Sequence, residues 1–354
     1  MKANIVKALL VTMLAIVAVN ANNKKLIREP LGFWSQSEYL NQFDHFKTSY
    51  NKVYESQKEE DFRLGIFIQT VEEILAHNND SSQTYKQGVN FMSDLTFEEI
   101  KSRYLVDSDQ LQASIASLNA TEAHESLNVN DTDQFSKDWR ETEGVVTEVK
   151  NQGQCGSCWA FSTTGVLEGY FAINKQTSVS LSEQELVDCS RRYGNFGCRG
   201  GLDSRALQYV KENGIGLEED YKYRARDQNC SVDKSKKRFN IDSFVEFYNL
   251  TYNSYAAIIA KNPTSIYYEV TNKFLRYSSG VYKGDSTCKT RINHALLAVG
   301  VEMKNTPDYS DDDSEYIIVK NSWSTQWGEK GYIKLGKTSI NKQCGMLQTT
   351  VFVK

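Results

Sequence analysis

The stretch Gln152-Gly153-Gln154-Cys155-Gly156-Ser157-Cys158-Trp159-Ala160-Phe161-Ser162 sets two cysteines and two glycines immediately ahead of an apolar run. Glycine lets the backbone turn tightly and approach other groups closely. The run that follows, Trp159 to Phe171, predicts a helix, which places Cys158 at its start. Unpaired N–H groups and the positive end of the helix dipole favour an anion there, so this thiol is a candidate nucleophile. A nucleophilic thiol also needs a base beside it. The chain has four histidines, at 45, 77, 124 and 294, and the first three fall in an acidic front part. His294 is therefore the candidate base. It stands in Arg291-Ile292-Asn293-His294-Ala295-Leu296-Leu297, at the mouth of an apolar strand. Asn321, in Val319-Lys320-Asn321-Ser322-Trp323, supplies a side-chain carbonyl that can orient an imidazole, with Trp323 and Trp327 to shield the bond from water.

Other chemistries fit this pattern less well. Cys155-Gly-Ser-Cys158 is also the pattern of a redox site, but that reading joins the two sulfurs and leaves His294 and Asn321 without a role. A zinc site calls for a second Cys-X-X-Cys or a Cys/His pair at ligand spacing, and there is none, so neither metal nor cofactor is expected. The seven cysteines, at 155, 158, 189, 198, 230, 288 and 344, all lie in the back part. An odd count leaves one thiol over.

At 354 residues the chain is long enough for one large or two ordinary domains. A net charge of −4 argues against nucleic acid as a partner. Residues 1–134 carry −7 and residues 135–354 carry +3, so the two parts should attract. Lys2 and Lys7 ahead of the apolar run Ala8 to Val19, with small residues near Ala21, predict a signal peptide over 1–21. That run is too short to span a bilayer, which takes about 20 residues. Five Asn-X-Ser/Thr sequons, at Asn79, Asn119, Asn130, Asn229 and Asn249, fit a secretory route to the lysosome or the outside of the cell. Residues 22–104 contain a helical pattern from 34 onward. Glu59, Arg63, Phe67, Thr70, Ile74 and Asn78 step by four or three and share one helix face. Residues 105–134 are rich in Ser, Asn, Asp and Gln and read as a flexible, cleavable linker. A folded domain is expected over 135–354. Leu181 to Cys189 and Asp203 to Asn213 read as helices. Ser265–Val270, Ala295–Glu302, Tyr316–Lys320, Tyr332–Leu335 and Thr349–Val353 read as strands. Helices first and an antiparallel sheet second predict an α+β enzyme of two lobes with a cleft between them.

Cys155-Gly156-Ser157-Cys158-Trp159 resembles the signature of papain-like cysteine proteases, whose His and Asn follow about 130–150 residues on. His294 lies 136 residues beyond Cys158 and Asn321 lies 163 beyond, slightly past that range. The likeness is closest to the cathepsin L-like group and runs from about Trp34 to the C-terminus. The Glu59–Asn78 face resembles that group's first propeptide motif, with Thr70 where Asn is usual. Gly88-Val89-Asn90-Phe91-Met92-Ser93-Asp94 resembles the second, with Met92 in place of Phe. The resemblance implies a helical propeptide that folds on the enzyme, runs backwards through its cleft and inhibits it. It implies an endopeptidase with a helical lobe and a β-barrel-like lobe. Cys158 would be the nucleophile, His294 the base and Asn321 its orienter, while the Gln152 side chain and the Cys158 amide would form the oxyanion hole. Gly200 and Gly201 would pair with the substrate backbone, and Trp323 would flank the site. Disulfides Cys155–Cys198, Cys189–Cys230 and Cys288–Cys344 follow from the resemblance alone. So do a monomeric state, peptide and protein substrates, and cystatin-like inhibitors as partners. The pocket two residues before the cut would be lined by Leu202, Asp203, Tyr267, Ile292, Ala295 and Thr349. Relatives usually carry Met at the Asp203 position and Ala at the Tyr267 position. The exchange implies a tighter, more polar pocket, with weaker preference for Phe and more tolerance of Val, Pro or a basic residue. The rival from another class is an inactive protease-fold binding or inhibitor protein. Such relatives lose the nucleophile or the base, and here both stand.

Overall fold

The computed structural model describes residues 19–20, 25–26, 33–117, 133–284, 286–304, 314–338 and 344–354. Most of the expected signal peptide, and residues 118–132 of the expected linker, lie outside them. The chain divides into two compact units: Met1–Gln83 with Gln87–Thr96, and Thr84–Lys86 with Phe97–Lys354. Among the described residues no helix is long and apolar enough to cross a membrane, and no cluster of His, Cys, Asp or Glu could hold a metal ion.

The first unit is built on two helices, α1 (Gln36–Ser49) and α2 (Gln57–Asn79). Ser35 and Glu38 form a reciprocal capping box at the start of α1, satisfying helix N–H groups that have no partner within the helix. Tyr39, Phe43 and Phe46 pack with Leu64, Phe67, Ile68 and Val71. On the expected face of α2, Arg63, Phe67, Thr70 and Ile74 are buried. Asn78 holds both backbone groups of Gln87. Asp94 is buried, takes hydrogen bonds from Lys52 Nζ (2.7 Å) and Tyr54 Oη (3.0 Å), and offers its carbonyl to Arg63.

The second unit holds the helices α3 (Phe97–Tyr104), α4 (Ser108–Ser117), α5 (Cys158–Lys175), α6 (Glu183–Cys189), α7 (Asp203–Asn213) and α8 (Tyr252–Lys261). Its main sheet runs β1 (Tyr85–Gln87), β5 (Tyr277–Tyr282), β8 (Tyr332–Gly336), β7 (Tyr316–Lys320), β6 (His294–Met303), β2 (Phe135–Asp138), with β4 (Thr264–Tyr268) also pairing β6. β3 (Phe244–Tyr248) and β9 (Thr349–Val353) form a separate antiparallel pair. β6 is buried along nearly its whole length. Its first half pairs β4 and its second half pairs β2, and its pairing with β7 shifts register between Ala298 and Gly300. α5 packs against this strand and is buried on every side from Cys158 to Phe171, as expected of a helix apolar all round. The α+β class and the disulfides Cys155–Cys198, Cys189–Cys230 and Cys288–Cys344 are as the resemblance implied; Cys158 is the free thiol.

One expectation needs correcting. Residues 105–117, read as the start of a flexible linker, are ordered. Leu105, Val106 and Leu111 are buried, and α4 occupies Ser108–Ser117. Asp107 accepts the amides of Asp109 and Gln110 at its start, and Asp109 pairs with Arg291. Leu111 and Ile115, one turn apart, supply the apolar face that an average over a polar stretch conceals.

Candidate active site

Cys158 begins α5, and the loop before it is clamped from several sides. Gly156 donates to the Cys198 carbonyl (2.8 Å), and a side chain at 156 would lie 2.6 Å from that same oxygen, so only glycine fits. The Gln152 amide donates to the Ser322 carbonyl (2.8 Å), and Asn151 bridges to Trp323. The loop that carries Asn321 thus also sets Gln152. The Ala295 amide faces Cys158 Sγ, which sets the sulfur by the start of the strand that carries His294.

His294 is fully buried at the first position of β6, opposite Tyr268. Its Nε2 lies 2.9 Å from Asn321 Oδ1. That oxygen also accepts the Ser322 amide (2.8 Å), which fixes the orientation of the Asn321 amide. A carbonyl only accepts, so Nε2 carries the proton and donates. Nδ1 is left as a lone pair, buried and without a hydrogen-bond partner. Trp323 stacks on the imidazole at 4.6 Å, and Trp327 meets Trp323 edge-on at 5.2 Å. This arrangement suits a thiol with a base set to take its proton.

Burial dominates the protonation of both groups. It pushes the Cys158 thiol up to about 12 against the pull of nearby backbone amides, that of Ala295 foremost, with the charge of Asp203 adding to the rise. It pulls His294 down to about 4 against the Asn321 hydrogen bond. The helix N-terminus alone suggested a thiolate. In this covered state desolvation wins and the pair is neutral.

The cover comes from the chain itself. The Tyr104 carbonyl accepts Gln152 Nε2 at 2.9 Å, while Gln152 Oε1 accepts the Ser322 hydroxyl at 2.6 Å. The Leu105 carbonyl lies against Gly156. The Val106 amide donates to the Asn293 carbonyl (2.8 Å), and its side chain lies over Gly200, whose φ of +124° suits glycine. Gly201 faces the Trp159 ring with no room for a side chain. Val106 shares a buried apolar cluster with Leu202, Tyr267, Ile292 and Ala295. Thr349 is buried at the first position of β9, opposite Tyr248. Asp203 is fully buried: Oδ2 accepts the Ser162 hydroxyl at 2.7 Å, and the Asp203 amide donates to Tyr267 Oη at 3.0 Å. The parts that sequence reasoning missed are Tyr104, Val106, Asn293, Ser322 and Ser162. The apolar pair Leu105-Val106, opening a polar stretch, offered a signal.

The description Papain family cysteine protease matches residues 134–354, and Cathepsin propeptide inhibitor domain matches residues 43–100. The chain belongs to the papain family of cysteine proteases. A cathepsin L-like proteinase of Fasciola hepatica is 38% identical over 308 residues, covering 85% of this chain and 89% of the relative. Pro-cathepsin H of Mus musculus is 41% identical over 316 residues, covering 85% and 87%. Among solved structures, the proform of the ragweed pollen allergen Amb a 11 cysteine protease superposes with a TM-score of 0.78 at 31% identity, covering 90% of this chain and 95% of that one. This papain-family chain therefore carries its propeptide inhibitor domain ahead of the protease domain, in the arrangement of a protease precursor.

Proposed function

We propose that the matured enzyme is an endopeptidase working through Cys158, His294 and Asn321, and that the precursor is held inactive by its own residues 104–111. The supporting observation is the His294 ring: Nε2–H is spent on Asn321, which leaves the Nδ1 lone pair to take the thiol proton. With that proton on Nδ1, Cys158 Sγ attacks the scissile carbonyl. Gln152 Nε2 and the Cys158 amide hold the oxyanion, as Gln152 now holds the Tyr104 carbonyl. The tetrahedral adduct collapses to a thioester, and the leaving amine takes the proton from His294. Water then attacks the thioester, giving a proton to His294, and the thiol reforms as the acid leaves. Gly200 and Gly201 would carry the substrate backbone. Leu202, Asp203, Tyr267, Ile292, Ala295 and Thr349 would wall the pocket two residues before the cut. Trp323 keeps water from the His294–Asn321 bond. Tyr104 to Val106 would run across the site in the sense opposite to a substrate, as the resemblance to this family's propeptides implies, and so escape cutting. Asn79, Asn229 and Asn249 are exposed, as glycan acceptors on the secretory route to lysosome or cell exterior must be.

The test is hydrolysis of a fluorogenic dipeptide by the matured protein. Activity should be abolished by a thiol alkylator and absent in Cys158→Ala and His294→Ala. A matured protein that binds peptides without cutting them would overturn the reading.

A further inference from the structure

We propose that a clasp between Tyr267 and Asp203 makes this enzyme select substrates with a short β-branched residue, valine or isoleucine, two positions before the bond that is cut. The inference rests on the proposed cysteine-endopeptidase function. Asp203 is the first residue of α7, and its amide is one of the N–H groups a helix cannot satisfy internally. Leu202, at the N-cap, has no side chain to cap the first turn of α7. The Tyr267 hydroxyl accepts the Asp203 amide hydrogen instead. The Tyr267 backbone is meanwhile held in the sheet opposite Ala295. The phenol ring is thus fixed at both ends, and only 2% of the residue is exposed. A ring held this way cannot swing aside to admit another ring.

The cover that the chain itself supplies carries a side chain of this kind. Val106 is branched at Cβ, lies over Gly200, is held by the Asn293 carbonyl, and belongs to the same apolar cluster as Tyr267, Ile292 and Ala295. Of the Asp203 carboxyl, Oδ2 is engaged by Ser162 of α5, while Oδ1 is buried without a hydrogen-bond partner, and an arginine peptide reads whether that oxygen draws a basic side chain.

Three fluorogenic peptides that differ only in Val, Phe or Arg at that position test the clasp, with active enzyme counted by thiol alkylation. Forcing a large ring into a packed site is expected to make kcat/KM for Val exceed that for Phe by about tenfold. Tyr267→Ala removes the ring and should reverse the order. Tyr267→Phe keeps the ring but frees its far end, and should bring the two substrates to within about threefold. Preference for Phe or Arg over Val in the unaltered enzyme would overturn the proposal. So would a Val-to-Phe ratio unmoved by both substitutions. Absence of cleavage of all three peptides would overturn the proposed function, and the clasp with it.

Discussion

Beneath residues 104–111 burial holds the Cys158 thiol up at about 12 and His294 down at about 4, which predicts that activation is coupled to acid. The depressed His294 value means that the covered state binds its proton late. Its contribution to the covered state is full above the ordinary histidine value near 6.5 and is lost as pH falls towards about 4. A state in which the segment lifts and His294 ionises gains over the same window. The Val106 amide, bonded to the Asn293 carbonyl, reports on that lifting. In a Cys158→Ala precursor, its hydrogen exchange, corrected for the intrinsic rate, should quicken between pH 6.5 and 4; a flat corrected rate would refute the coupling. The same burial predicts slow chemistry at the thiol. Because thiolate is the reacting form, iodoacetamide at pH 6 should label Cys158 in the precursor at least about a hundredfold more slowly than in the matured enzyme. Comparable rates would show that the cover does not control ionisation. Gln152 makes the third residue-level case. Removing one oxyanion donor typically lowers kcat by about 10²–10³, and Gln152→Ala should do so with KM little changed. A loss confined to KM would place Gln152 outside the oxyanion hole.

At the level of elements, the junction of α7 with β4 carries a buried acid that titrates in the opposite sense to His294. Burial raises the Asp203 carboxyl to about 7, while the hydroxyls of Ser162, Tyr267 and Ser265 pull it back. An acid raised in the folded state contributes most below its unfolded value near 3.8, and that contribution is lost as pH rises through about 7. A shift of this size corresponds to about 4 kcal/mol across the window. The Cys158→Ala precursor should therefore melt lower at pH 7 than at pH 5 by more than its Asp203→Asn counterpart; equal drops would discount Asp203 as the source. The sequence foretold α7 to the residue, because Asp203–Asn213 has an apolar stripe at helical spacing and glycine at either end. β7 and β9 were equally legible from β-branched and aromatic runs. β5 was not, because Tyr277-Ser-Ser-Gly-Val-Tyr282 breaks its pattern at Gly280, whose φ of +89° reads as a turn. β3 was missed because, among the described residues, its ladder partner is β9, about a hundred residues further on. α8 opens on Tyr252-Asn-Ser-Tyr255, weak helix formers rescued by the Thr251 cap. At the site, Cys158, His294 and Asn321 were legible because each stands in a local motif. Ser322, Asn293 and the Tyr104–Val106 cover were not, because they act through backbone groups brought together only by the fold.

For the whole molecule, the fold narrows where the precursor must be cut. The sequence reads the whole of residues 105–134 as cleavable. Proteases need an extended chain in their cleft, and residues held in a helix resist cutting unless it unwinds. Ser108–Ser117 is α4, with Leu111 buried, Asp109 paired to Arg291 and Ser114 bonded to Arg205. On the other side, β2 begins at Phe135 and is paired to β6 from Phe135↔Met303 onward, so cutting beyond it would strip a strand from the sheet. The family match to the protease domain likewise begins at residue 134. The final cut is therefore expected after Ser117 and before Phe135. Charge should help the released parts to separate in acid. The front of the chain carries −7 and the rest +3 at neutral pH, and protonation of carboxylates weakens that attraction. Acid incubation of the purified precursor, followed by N-terminal sequencing, should give a first residue between 118 and 135. Conversion should be fastest near pH 4–5 and absent in Cys158→Ala incubated alone. A mature terminus inside Ser108–Ser117 would mean that α4 unwinds before cleavage. Maturation of the isolated Cys158→Ala chain would mean that a different nucleophile makes the cut.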